Sequence, residues 1–164
     1  KIKFICADAS EVSSLKHDFF DLILSTYALY YVKDTDKVLS IMKTRLNKNG
    51  RMAIMSPYKG NNIEWYSFLL SFMEKIPNEV ESIAKNFMDK EVMQFAKSNF
   101  SKVRVFHFKN IVKIPSYEEL KNYWLANIYH KEEFDQEFEK YASKFFNKNK
   151  NFIITKKALL VIMG

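Results

Sequence analysis

Three histidines, His17, His107 and His130, carry the side chain of this 164-residue chain best suited to moving a proton near neutral pH. They stand far apart in sequence, and no Cys/His cluster accompanies them, so the residue types offer no metal centre. Asp34 and Asp36 precede an amphipathic stretch and read as helix capping. His130 lies in an aromatic helical region and is the best candidate for a general base; the competing reading is an exposed loop histidine. The three glycines are Gly50, Gly60 and Gly164. None follows a strand and opens a helix, as a turn that cradles an anionic ligand must. Any chemistry here therefore rests on positioned groups, and the elements that position them come next.

Residues 2–6 form a short apolar run ending at Ala7 and Asp8, and residues 20–25 (FDLILS) form a second. Neither alternates cleanly, as expected of parallel strands buried on both faces. Residues 10–18 between them make a short helix or loop. Asp34 or Thr35 caps a helix with Val38, Ile41, Met42 and Leu46 on one face, and Asn49-Gly50 supplies a left-handed stop. The run at 51–56 (RMAIMS) follows, closed by Pro57, so 20–57 reads strand, helix, strand: a βαβ crossover. Helical patterns at 63–76 and 78–98 cover a sheet face. The stretch 102–114 alternates Val103, Val105 and His107 against Arg104, Phe106 and Phe108, which suits an edge strand. Ser116 to Glu119 is a capping box opening a helix to about Tyr129; a further aromatic helix spans 132–146. The last strand contains 158–163 (ALLVIM), apolar throughout and so central.

One domain accounts for 1–164, with 58–100 and 115–151 as helical cover and lid segments. Apolar residues make up 48% of the chain, which excludes a disordered polymer. The net charge of +7 comes mainly from scattered lysines, with only Arg45, Arg51 and Arg104 to supply forked donors. That pattern argues against nucleic acid as a partner. Cys6 cannot pair within the chain and reads as a small buried hydrophobe, so a reducing cytoplasm is the expected home. No apolar stretch reaches the roughly 20 residues of a membrane helix.

Four signatures fall in order over residues 1–57: Ala7-Asp8-Ala9 after a strand, Phe20-Asp21-Leu22-Ile23, Ala28-Leu29-Tyr30-Tyr31-Val32, and Leu46-Asn47-Lys48-Asn49-Gly50 before a strand. Together they resemble the class I S-adenosylmethionine-dependent methyltransferases, especially the small-molecule "type 11" group. The resemblance implies an α/β fold, a Rossmann-like three-layer sandwich with strand order 3-2-1-4-5-7-6 and an antiparallel last strand. It is incomplete here, with strands 3 to 7 present and helical insertions between them. Strands 1 and 2, with the glycine-rich turn and the acid for the ribose, have no counterpart in this sequence. An upstream segment of about a hundred residues is expected to supply them, a figure taken from typical domain size; otherwise the strand at 2–6 is displaced.

By the same resemblance Asp8 accepts from the adenine amino group and the Ala9 backbone meets the adenine edge, while Ser25, Thr26 and Tyr27 lie at the ligand end of strand 4. Asp8 otherwise only caps the turn that follows. Tyr30 and Tyr31 face the substrate or are ordinary core aromatics. Tyr117, Tyr123, Trp124, Tyr129, Phe134 and Phe138 form a lid over a small organic acceptor, with Trp124 touching it, or the insertion's own core. The expected activity is methyl transfer to a small molecule, with the chain as written unable to bind its cofactor normally. One rival is a non-catalytic assembly module that completes its sheet with a partner, for example as a homodimer through the unpaired apolar edge at Leu22 to Leu24. Another doubly wound enzyme is the second rival, disfavoured by the FD strand and the LNKNG turn.

Overall fold

The computed structural model describes residues 2, 4–9, 11, 19–75 and 83–164. Its centre is a four-stranded sheet of β1 (Phe20–Thr26), β2 (Leu46–Pro57), β3 (Val103–Ile114) and β4 (Phe152–Met163), in the order β1-β2-β4-β3. β1 and β2 are parallel and joined by helix α1 (Thr35–Thr44), the crossover expected from sequence. β4 runs antiparallel to both neighbours, with β3 at the edge. This is the 4-5-7-6 half of the order given above. The all-apolar strand is central because both its faces are claimed by packing: Leu159, Val161 and Met163 on one side, Phe152 and Ile154 on the other.

Residues paired across the sheet share a face. Ile23, Met52, Ile54, Val161 and Met163 face α1, the π-type helix α3 (Ile83–Val92) and α4 (Met93–Asn99), forming one core with Leu39, Met88 and Val92. β3 and β4 run past the end of β2 at Pro57 as a two-stranded ribbon. On its opposite face sit α2 (Ile63–Leu69), α5 (Tyr117–Leu125) and α6 (Asp135–Phe146), whose Trp65, Phe68, Leu120, Trp124 and Phe138 make a second, aromatic core. Ser116 caps α5, its hydroxyl accepting from the Glu119 N–H at 3.2 Å.

Beyond β2, the β4 edge is completed by side chains. Glu64 accepts from the Thr155 N–H at 2.9 Å and the Thr155 hydroxyl at 2.6 Å, Asn61 Oδ1 accepts from the Lys157 N–H at 2.8 Å, and the Asn62 N–H donates to the Thr155 carbonyl at 2.8 Å. The start of α2 thus acts as a surrogate strand, leaving these buried backbone groups satisfied.

Several expectations change. Residues 2 and 4–8 form no strand: among the described residues no strand lies beside them to pair with, and a lone strand has no ladder to join. Cys6 is accordingly exposed instead of buried. Asn49-Gly50 does not stop α1, which ends at Thr44 with Arg45 as its C-cap. Both residues lie inside β2 at an irregular register opposite Phe20 to Leu22. Gly50 is required there because a Cβ would stand 2.7 Å from the Phe20 carbonyl oxygen. The first covering helix stops at Leu69, short of 76, and the helix after Ser116 ends at Leu125, short of 129. The helix or loop expected at 10–18, and the start of the pattern at 78–98, fall largely outside the described residues.

Among the described residues no strand pairs with the outer edge of β1. Leu22 and Leu24 are 58% and 60% exposed, on the same face as the exposed Phe106 and Phe108.

Candidate active site

The parallel pair β1 and β2 points its carboxyl ends at one region, the place where open α/β sheets bind ligands. Ser25 is buried under α1's face of the sheet, while Thr26 is exposed at the strand tip. The Tyr27 N–H extends the ladder by one bond, donating to the Met55 carbonyl at 2.8 Å. There the backbone turns left-handed, with φ of 54° at Tyr27. For a residue with a Cβ this is strained, and strain of this kind gathers at functional sites. Its result is that the ring leaves the sheet and stands half in solvent.

The chain then makes a single 3-10 turn, Leu29–Tyr31, anchored by buried Leu29. Tyr30 packs at 4.4 Å against Tyr31 and edge-on to Phe87 at 5.9 Å. Burial, followed by the neighbouring Tyr31, pushes the Tyr30 phenol well above its ordinary value. Tyr31 is 73% exposed. Asp8 lies beside this turn: with Tyr31, Val32, Lys33, Asp34, Lys37 and Val38 it lines a cleft of about 410 Å³. Ala9 is half-buried against the sheet core. The structure therefore brings Asp8, Ala9 and the segment after β1 together at one end of the sheet.

The helical unit carries Tyr66 on α2 and Tyr129 after α5, their rings edge-to-face at 6.1 Å. Burial, then the neighbouring Tyr66, pushes the Tyr129 phenol well up, with Tyr31 and Tyr123 adding to it. His130 follows Tyr129, its Nε2 3.2 Å from Asp135 Oδ1, and the same carboxylate oxygen accepts from the Trp124 indole N–H at 2.7 Å. His130 is held edge-on to Trp124 at 5.1 Å, a fixed imidazole and not a free loop histidine.

Trp124 is a correction. It is 1% exposed, stacked on Phe138 at 5.3 Å in the centre of the aromatic core, so it cannot touch an acceptor while that core is closed. Its part is to orient Asp135. Tyr66 and Asp135 were missed in the sequence. Asp135 had a readable signal, a carboxylate five residues after His130 at a helix start; Tyr66 had none beyond its place in an aromatic helix. His17 falls outside the described residues, and His107 lies on β3 against Tyr58 at 5.4 Å.

Residues 1–94 match the family described as "Methyltransferase domain". The chain belongs to that family. The fold agrees: a SAM-dependent methyltransferase from Archaeoglobus fulgidus superposes with a TM-score of 0.52 at 15% identity, covering 100% of this chain and 68% of that one. The YcgJ protein from Bacillus subtilis does so with 0.51 at 15% identity, covering 92% and 67%. No curated protein matches in sequence. The chain spans 35% to 68% of the length of the solved structures it resembles.

The methyl donor of the family is S-adenosylmethionine. The residues present fit one end of it. Asp8 beside the cleft is an acceptor for an exocyclic amine, and Val32 and Val38 offer apolar walls. The far end is not served: Gly50 is locked in a strand, Gly60 turns left-handed beneath Lys157, and Gly164 abuts Arg51. Among the described residues there is also no group of three or more His, Cys, Asp or Glu that could hold a metal, and no helix long and apolar enough to cross a membrane.

Proposed function

We propose that this chain is the acceptor-side portion of a cytoplasmic S-adenosylmethionine-dependent methyltransferase that acts on a small organic molecule. The observation that carries the reading is the meeting of the Asp8 cleft, the strained Tyr27 and the Tyr30–Tyr31 turn at the carboxyl end of β1. In this assignment Asp8 and Ala9 hold adenine, Ser25, Thr26 and Tyr27 line the donor side, and Tyr30 and Tyr31 face the acceptor.

When bound, S-adenosylmethionine supplies a methyl carbon on a sulfonium, whose sulfur leaves as a neutral thioether with the bonding pair. His130 would take the proton that the acceptor gives up. Asp135 stabilises the resulting imidazolium, and the Trp124 indole fixes Asp135. The rest is alignment, which the tyrosines and the helical unit provide by enclosing the acceptor.

The test is calorimetry with S-adenosylhomocysteine on the 164-residue chain and on a version carrying whatever polypeptide is encoded ahead of Lys1. Binding by the longer protein and weak or no binding by the shorter is the expected result. No binding by either removes the enzyme reading. In that case the second reading stands, an assembly module whose exposed Leu22 and Leu24 edge pairs with another copy.

A further inference from the structure

The end of the sheet opposite the Asp8 cleft is a basic hollow. The start of β2, the chain leading into β3 and the end of β4 enclose a cleft of about 430 Å³, lined by the four cations Lys48, Arg51, Lys102 and Arg104. Asn49 and Ser101 add neutral hydrogen-bond donors, and none of the lining side chains is a carboxylate. Among the described residues no ion pair engages any of the four cations. Asp21, on the neighbouring β1, does not line the cleft, and its Oδ1 accepts from Asn47 Nδ2 at 2.6 Å. Like charges gathered at one cleft repel one another, and an anion held between them relieves that repulsion.

The backbone sets the positions of these charges. Arg104 pairs with Ile162, and Ile162 with Ala53, two residues after Arg51, so both arginines lie on one face of the sheet, on either side of β4. Two strand spacings and two residues along the strand separate their Cα atoms by roughly 12 Å, an interval that two long guanidinium arms close from both sides. Between them β4 ends in Gly164, where a Cβ would stand 3.2 Å from Arg51 Cγ, so the missing side chain leaves the gap open. The rim that carries Lys102 is tied to β4: the Lys102 N–H donates to the Gly164 oxygen at 3.0 Å and its carbonyl accepts from the Gly164 N–H at 2.9 Å. On the other rim, close packing of Gly50 against the Phe20 carbonyl holds the irregular stretch that carries Lys48 and Asn49.

Arginine forks match phosphate oxygens two at a time, and lysines add point charges. We infer that Arg51 and Arg104, with Lys48 and Lys102, form a binding site for a small soluble anion that carries a pyrophosphate group, each fork taking one phosphate. Four cations within one cleft suit a compact anion; a nucleic-acid strand needs them along a stripe. The site lies at the amino end of β2 and the Asp8 cleft at the carboxyl end of β1, so the inference stands apart from the methyl-transfer reading.

The test is calorimetry of the 164-residue chain with pyrophosphate and with orthophosphate. Pyrophosphate should bind at least about tenfold tighter, the worth of one additional charge-assisted contact. Arg51→Gln and Arg104→Gln should each weaken it by about tenfold or more. Arg104→Lys, which keeps the charge and loses the fork, should also bind it more weakly than the wild type. Lys140→Gln removes the same charge from an exposed position on α6 and should leave binding unchanged. The substituted side chains are all exposed, so the variants keep the fold, which circular dichroism verifies. No binding of pyrophosphate, equal affinity for the two anions, or an equal loss in Lys140→Gln overturns the site. So does a single strand of about ten nucleotides that binds tighter than pyrophosphate through the same arginines, since the ligand is then a nucleic-acid backbone.

Discussion

Glu64 is the residue whose removal should cost most for the fewest atoms. Its two carboxylate oxygens take the Thr155 N–H and hydroxyl, standing in for the strand that β4 lacks beyond Pro57. Glu64→Ala leaves both donors stranded, at a threonine that is itself buried. Hydrogen bonds to a charged acceptor contribute about 1.5–3 kcal/mol each, and partial exposure of Glu64 places these at the low end, so the pair amounts to about 3 kcal/mol. For a chain of this size that lowers Tm by about 6–12 °C. Glu64→Gln keeps one acceptor oxygen and should lose about half as much. Urea unfolding followed by circular dichroism reads both. Burial raises the Glu64 pKa, but the Thr155 side-chain and backbone bonds, with help from Lys157, outweigh it and leave the carboxyl below its ordinary value. The sign follows: the extra stability is fully present above the unfolded value of about 4.3 and is lost as pH falls through the lower folded value. The gap between wild type and Glu64→Gln should be flat at neutral pH and close on acidification. A loss below about 1 kcal/mol in the alanine variant, or equal losses in both variants, refutes the surrogate-strand argument.

Three further outcomes follow from packing. Gly50→Ala forces a methyl to within 2.7 Å of the Phe20 carbonyl oxygen, so chemical denaturation should show a loss of about 1–3 kcal/mol. Leu22→Lys with Leu24→Lys should abolish any concentration-dependent self-association of this chain in sedimentation velocity, because lysines on an open edge block strand pairing; dimers that persist would place the contact elsewhere. Trp124→Phe removes the indole donor to Asp135, so His130 loses its fixed orientation and methyl-transfer kcat should drop about tenfold or more while KM changes little; equal kcat in the variant would exclude His130 as the base.

The sheet was legible because its signals are local and strong. The all-apolar 158–163 run and the alternating 103–108 run fixed which strand is central and which is at the edge. The βαβ unit followed from one amphipathic helix between two apolar runs. The 2–6 run was misread because a strand is a pairwise object: apolar sequence supplies the propensity, but neighbours supply the ladder. Gly50 was misread for a related reason. Its place after a helix suggested a left-handed stop, while the real constraint is a carbonyl from a strand 30 residues earlier. In the site, Tyr27, Tyr30 and Tyr31 could be placed after β1 from sequence because they follow a recognisable strand; Asp8 comes beside them without the strand expected before it. The pairing of Tyr66 with Tyr129 and that of Asp135 with Trp124 and His130 could not, since they depend on how the helices pack against one another. Trp124 was ambiguous between lid and core, and only its packing on Phe138 decides.

The account turns on Asp8 meeting the adenine end of the donor. The direct measurement compares S-adenosylhomocysteine with its deaminated analogue, in which the adenine amino group is replaced by oxygen, on the longest natively encoded version of the protein. A carboxylate acceptor facing the amine predicts that the deaminated compound binds at least about tenfold more weakly, with the discrimination largely lost in Asp8→Ala. Equal affinity for the two compounds in the wild-type protein would contradict it.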